Sequence, residues 1–125
     1  MELGTMKIAI VGVCASGKTT LVAGLKAAGY EAYNVAQEHS CIHNFWAKHH
    51  PDILVMIDAT MPAIHKRRVV YWDENRLATQ HKRLADAHAH ASLYIQTDNF
   101  TADQVREQVI TFIKDWEARQ AEHSA

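Results

Sequence analysis

The residues with the most definite chemistry in this sequence are GVCASGKTT, Gly12 to Thr20. Gly12, Gly17, Lys18 and Thr19 satisfy the spacing G-x-x-x-x-G-K-[ST]. That chemistry is phosphate binding. Glycines permit backbone angles that a Cβ forbids, so successive N–H groups can turn inward around an anion. A helix starting near Lys18 would add the positive end of its dipole. Lys18 would reach the β- and γ-phosphates, and the Thr19 hydroxyl would ligate Mg²⁺. Cys14, Ala15, Ser16 and Thr20 fill out the expected nucleotide-binding loop. The Cys14 thiol reads as a small filler rather than an oxidation- or alkylation-sensitive group.

The loop needs a strand before it and a helix after it. Lys7 to Val11 is an apolar run of the kind found in buried parallel strands, and Lys18 to Ala28 places Leu21, Val22 and Leu25 on one helical face. Further strands are expected at Tyr30 to Ala36, Ile53 to Asp58 and Ser92 to Thr97. Short helices are expected at Ser40 to His49, with Ile42, Phe45 and Trp46 facing in, and at Thr60 to Arg68, with Thr60 as N-cap. Asp73 would cap a longer helix to about His90, with Leu77, Leu84 and Ala91 on one buried stripe. Thr101 and Gln104 spell a capping box for a last helix to about Arg119, whose apolar face is Val105, Val109, Phe112, Ile113 and Trp116. The tail from Gln120 is expected to fray. Strands alternating with helices predict an α/β three-layer sandwich around a short parallel sheet of about four strands.

The chain has 125 residues, 48% hydrophobic and 22% charged, which predicts one globular domain over 1–125. The net charge of −1 gives no overall field to recruit nucleic acid or an acidic membrane. Two cysteines make no disulfide framework. No leader and no membrane-length apolar run is read, so a cytoplasmic protein is expected, with no nucleic-acid or membrane partner.

With the loop in this setting, the chain resembles small P-loop kinases of the nucleoside-monophosphate, thymidylate and shikimate kinase group. HHPDILVMIDAT followed by MPAIHKRR is similar to the family's strand and short helix before the lid. RLADAHAHASLYIQTDNFTADQVREQVITFI is similar to its C-terminal unit. The resemblance implies a P-loop NTPase-type fold, ATP and Mg²⁺ as cofactors, and γ-phosphoryl transfer to a small-molecule acceptor. It implies a lid at about 66–83, which holds six of the 13 Lys and Arg residues, with Arg67, Arg68 and Arg76 as catalytic cations. It implies that the base lies between a lid arginine and Thr97, Asp98 and Asn99. Ala15 stands where many such loops carry glycine.

Two carboxylates fall at expected carboxyl ends of strands, where open α/β sheets bind ligands. Asp58 resembles a Walker B aspartate that would orient Mg²⁺. Glu38 follows the second strand, where small-molecule kinases tend to carry an acidic residue, and it would accept the acceptor's proton or help hold the metal. The region before Pro51 is shorter than in full-size kinases, so Gln37, His39, His43 and Trp46 are candidates to line the acceptor pocket. Nine histidines raise a metal hypothesis, but none has a structural zinc spacing. Two alternatives to a kinase remain at this point. One is a non-catalytic or slowly hydrolysing nucleotide-binding module that works through a partner. The other, a GTPase-type switch, is disfavoured because no N-K-x-D signature is present.

Overall fold

The computed structural model describes residues 6–124. In chain order it has β1 (Lys7–Gly12), α1 (Lys18–Ala27), β2 (Glu31–Asn34), two 3-10 turns (Gln37–His39 and Phe45–His49), β3 (Ile53–Asp58), α2 (Met61–Arg67), α3 (Glu74–Arg83), α4 (Ala85–His90), β4 (Leu93–Gln96) and α5 (Ala102–Ser124). The four strands form one parallel sheet in the order β2-β1-β3-β4. The chain leaves β1 toward one edge and returns past it toward the other. The crevice at the carboxyl ends of β1 and β3 is therefore a topological switch point.

Side chains alternate across the sheet and separate two cores. Ile8, Ile10, Ile53, Val55, Ile57 and Ile95 pack against Leu21, Val22 and Leu25 of α1 and Val105, Val109 and Ile113 of α5. Ala9, Val11, Leu54 and Met56 pack against Ile64 of α2, Leu77 of α3, Leu84 at the junction after α3 and Ala87 of α4. Both faces of β1 and β3 are covered, which is why they read as unbroken apolar runs.

Several local expectations change. Residues 40–44 are not helical: a 3-10 turn begins only at Phe45, and Ile42 is exposed while Phe45 and Trp46 pack inward. The helix expected from Asp73 to His90 is two abutting helices that meet at Leu84. Its buried stripe carries Gln80 and Ala87, with Ala91 only partly buried. Asp73 does cap α3, accepting from the Asn75 and Arg76 N–H groups. Thr60 precedes α2, but its hydroxyl donates to Asp98 Oδ2 at 2.6 Å rather than capping the helix. The helix of the last segment runs on to Ser124.

The Thr101–Gln104 capping box forms: Gln104 N donates to Thr101 Oγ1 at 3.1 Å, and Thr101 N donates to Gln104 Oε1 at 2.8 Å. Thr101→Ala is expected to cost about 1 kcal/mol. Ile113→Ala, in the core beneath, is expected to cost about 2–5 kcal/mol. Urea unfolding should show both as a lower midpoint at unchanged slope.

Candidate functional site

Gly12 to Thr20 is the turn between the end of β1 and the first turn of α1. Gly12 lies so close to β3 that a Cβ there would collide with the Ile57 carbonyl oxygen and crowd Ser16 Oγ at 2.9 Å. Gly17 caps α1 at φ 105°, in the left-handed region. Ala15 also sits at positive φ, 64°, and carries the Cβ penalty that a glycine would avoid. Ser16 closes the turn, with its N–H and hydroxyl both on Val13 O.

Lys18 is buried beneath this turn. Its Nζ donates to Glu38 Oε2 at 2.6 Å, Gly12 O at 2.8 Å and Val13 O at 3.2 Å. All three ammonium donors are thus engaged. Glu38 stands in the 3-10 turn after β2, 3% exposed, and its Oε1 has no hydrogen-bond partner. Cys14 Sγ lies 4.0 Å from Glu38 Oε2 and 3.1 Å from His39 Nε2. Cys14 N donates at 2.8 Å to Gln80 Oε1, so α3 braces the loop from below. Gln80 is not among the site residues expected from sequence. Its signal was a polar side chain between Leu77 and Leu84 on an otherwise apolar stripe.

Two clefts flank the loop. One, about 330 Å³, is lined by Cys14, Lys18, Thr19, Glu38 and Arg68 among others. The other, about 190 Å³, lies between Gly17 and Thr20 on one side and Arg67, Thr97 and Phe100 on the other. Arg67 holds that second wall: Nη1 donates to Thr97 Oγ1 at 2.9 Å and Nη2 to Thr97 O at 2.6 Å. Thr97 Oγ1 also lies 3.1 Å from both Ser16 O and Asp58 O, joining the loop to β3 and β4. Phe100, one residue beyond the Thr97–Asn99 stretch expected to border the base, also lines this cleft. A wider groove of about 750 Å³ runs along β2 past Tyr33 and Lys48, but none of Gly12–Thr20 lines it.

The remaining expected site residues are placed differently. Asp58 gives its carboxylate to His81 Nε2 at 2.9 and 3.1 Å, Tyr94 OH at 2.7 Å and Ala59 N at 2.9 Å. It lines a separate cleft with Thr60, Glu74 and His81. Asp98 accepts from Thr60 N and Thr60 Oγ1, tying the end of β4 to α2. Arg76 is exposed on α3 and lines neither cleft beside the loop. Gln37 is fully buried, bracketing Trp46 N, Ile42 O and Arg83 O. Trp46 Nε1 donates to Asp86, and His43 is exposed.

No protein-family model matches the chain, and no curated protein matches it in sequence. Among the described residues no helix is long and apolar enough to cross a membrane.

Ala15→Gly is expected to stabilise the fold by about 0.5–1 kcal/mol, the left-handed strain relieved less the added freedom of the unfolded chain. Gly12→Ala is expected to destabilise by about 1–3 kcal/mol. Denaturant midpoints check both signs. A third expectation concerns Tyr94, whose phenol is pushed well above the usual tyrosine value by burial, its hydrogen bond to Asp58 and the charges of Asp58 and Asp98. Its stabilising contribution is fully present below the unfolded value of about 10 and decays as pH rises through the higher folded value. Tyr94→Phe should flatten the fall of Tm above pH 10.

Proposed function

We propose that the chain binds a Mg²⁺·nucleoside triphosphate, ATP as the expected one, at Gly12–Thr20. On this reading it is a small kinase of the P-loop type that transfers the γ-phosphoryl group to a small-molecule acceptor. The observation that carries this reading is the placement of a glycine turn, Lys18 and Glu38 together at the switch point of a parallel sheet. The residues present suit the ligand. Gly12 leaves no room for a side chain beneath the turn, and exposed Thr19 faces the same cleft as Lys18. Thr19 would ligate the metal. Asp58 is committed to His81 and Tyr94, which weighs against it as the second metal-orienting group.

Bound Mg²⁺ would supply charge neutralisation at the phosphate oxygens. The chain's own residues do the rest. The N–H groups of Cys14 and Ser16 are already taken by Gln80 Oε1 and Val13 O, so the phosphates would fall to the remaining N–H groups of the loop and the first turn of α1. Lys18 Nζ exchanges Glu38 Oε2 for phosphate oxygen. Glu38, released from the lysine, takes the proton of the acceptor hydroxyl in the 330 Å³ cleft. Arg68 lines that cleft and adds positive charge. Arg67 and Phe100 bound the cleft on the far side of Gly17, which suits the base. The alternative, a binding module without transfer, draws support from the region 37–50. That region forms two 3-10 turns where full-size kinases place a helical acceptor insertion.

Millimolar Mg·ATP is expected to raise Tm by several degrees, as saturation near 100 times Kd adds about 2.7 kcal/mol. Lys18→Ala should lower the ligand-free Tm, because it leaves Glu38 buried without its partner, and should also abolish the shift. No shift in the native chain would refute nucleotide binding. Glu38→Gln should keep the shift and lower transfer from γ-labelled ATP to an acceptor panel by about 10²–10⁴-fold. Label passing only to water, unaltered by Glu38→Gln, would select the binding module.

A further inference from the structure

We propose that Cys14 Sγ, His39 Nε2 and the Glu38 carboxylate form a binding site for a thiophilic divalent transition metal of the Zn²⁺ class at the rim of the glycine loop. The three groups come from two turns at the same end of the sheet, one after β1 and one after β2. Cys14 lies 24 residues before Glu38 and 25 before His39, a separation outside every local zinc spacing. Their candidate ligand atoms all lie within 4.8 Å of one another. The edges are 3.1 Å for sulfur to nitrogen, 4.0 Å for sulfur to oxygen and 3.8 Å for nitrogen to oxygen.

Bond lengths of about 2.0–2.3 Å around a tetrahedral Zn²⁺ place ligand atoms about 3.3–3.6 Å apart. The observed edges straddle that range. The His39 side chain is 57% exposed, so its ring can adjust the two edges it shares, while the 4.0 Å sulfur-to-oxygen edge is left to a small shift of the half-buried Cys14. The carboxylate itself has an unused acceptor. Glu38 Oε1 is buried without a partner, although Oε2 is held by Lys18. A buried carboxylate oxygen left unpaired is costly, so this carboxylate has acceptor capacity that Lys18 does not use.

The donor set decides the class of metal. One thiolate, one imidazole and one carboxylate suit Zn²⁺ and its neighbours, whereas Mg²⁺ and Ca²⁺ take oxygen ligands. On binding, the Cys14 thiol proton leaves to solvent. Thiolate and carboxylate bring two negative charges to the ion, and the Lys18 ammonium, 2.6 Å from Glu38 Oε2, shares or gives up that oxygen. Cys14 and Glu38 both line the 330 Å³ cleft, so the fourth coordination position opens to it. An open fourth position is the arrangement of reactive rather than purely structural zinc. This site is separate from the Mg²⁺ position expected at Thr19, but it shares Glu38 and the 330 Å³ cleft with the proposed transfer, so a metal held on Glu38 and Glu38 acting as base exclude one another.

The test uses the full, reduced chain and Co²⁺ as a coloured probe, with no nucleotide present. One equivalent of Co²⁺ is expected to produce thiolate-to-cobalt charge-transfer absorption in the near ultraviolet, bleached by one equivalent of Zn²⁺. Cys14→Ser should remove the band, and His39→Ala should weaken binding by about 100-fold or more. Both are mild changes to the fold, checked by an unchanged circular dichroism spectrum. Cys41→Ser and His43→Ala, at exposed positions nearby, should leave the band intact. Absence of the band, its survival in Cys14→Ser, or its loss in Cys41→Ser would overturn the proposal. None of these outcomes bears on the Mg·ATP thermal shift.

Discussion

The buried pair between Lys18 and Glu38 organises this end of the molecule. Removing two charges from water is costly, and attraction between them repays this only when the other donors and acceptors are met. On the lysine side they are, through Gly12 O and Val13 O. On the glutamate side one oxygen is not. The pair is therefore well made as a clamp and incomplete as an endpoint. It joins the turn after β1 to the turn after β2, and both turns stand over the same crevice. Gln80 fixes the loop from α3, and Thr97 fixes it from β4. The turn after β2, helix α3 and the residue that follows β4 thus each contribute a contact to one short turn.

Those contacts divide the space around the loop. Arg67 is drawn onto Thr97, and with Phe100 it bounds one cleft. Arg68, one residue on, is turned toward the cleft of Glu38 and Cys14. Adjacent arginines at the end of α2 face different compartments because the helix ends between them: Arg67 is its last residue, and Arg68 has extended backbone angles. A pair that looks like one basic cluster in sequence acts as two separate walls.

The sheet was legible in the sequence because burial on both faces writes strands as unbroken apolar runs, as in Ile53–Asp58. The last helix was legible because its capping box and its apolar face agree. The stretch 37–50 was not. Its shape is set by Gln37, whose partners include a carbonyl 46 residues away, and no local spacing encodes that. The carboxylates after β3 and β4 mislead for a similar reason. Their position at strand ends points to a ligand, but Tyr94 and His81 occupy Asp58, and Thr60 occupies Asp98. Position told where these groups lie and said nothing of which neighbours would claim them. Glu38, read by the same rule, faces the loop because its turn folds back over β1 and brings the carboxylate to Lys18.

The outer strands β2 and β4 have four residues each, against six in β1 and β3. A free strand edge is a template on which another chain can add a strand, and the hazard grows with the length of the exposed row. Among the described residues, each outer strand offers a row of only four residues. The sheet is most extended where it is enclosed and shortest where it meets solvent. A fold with so few strands has two edges for every two interior strands, a high ratio. Short outer strands are one device by which a sheet of few strands limits the row it offers for templated pairing.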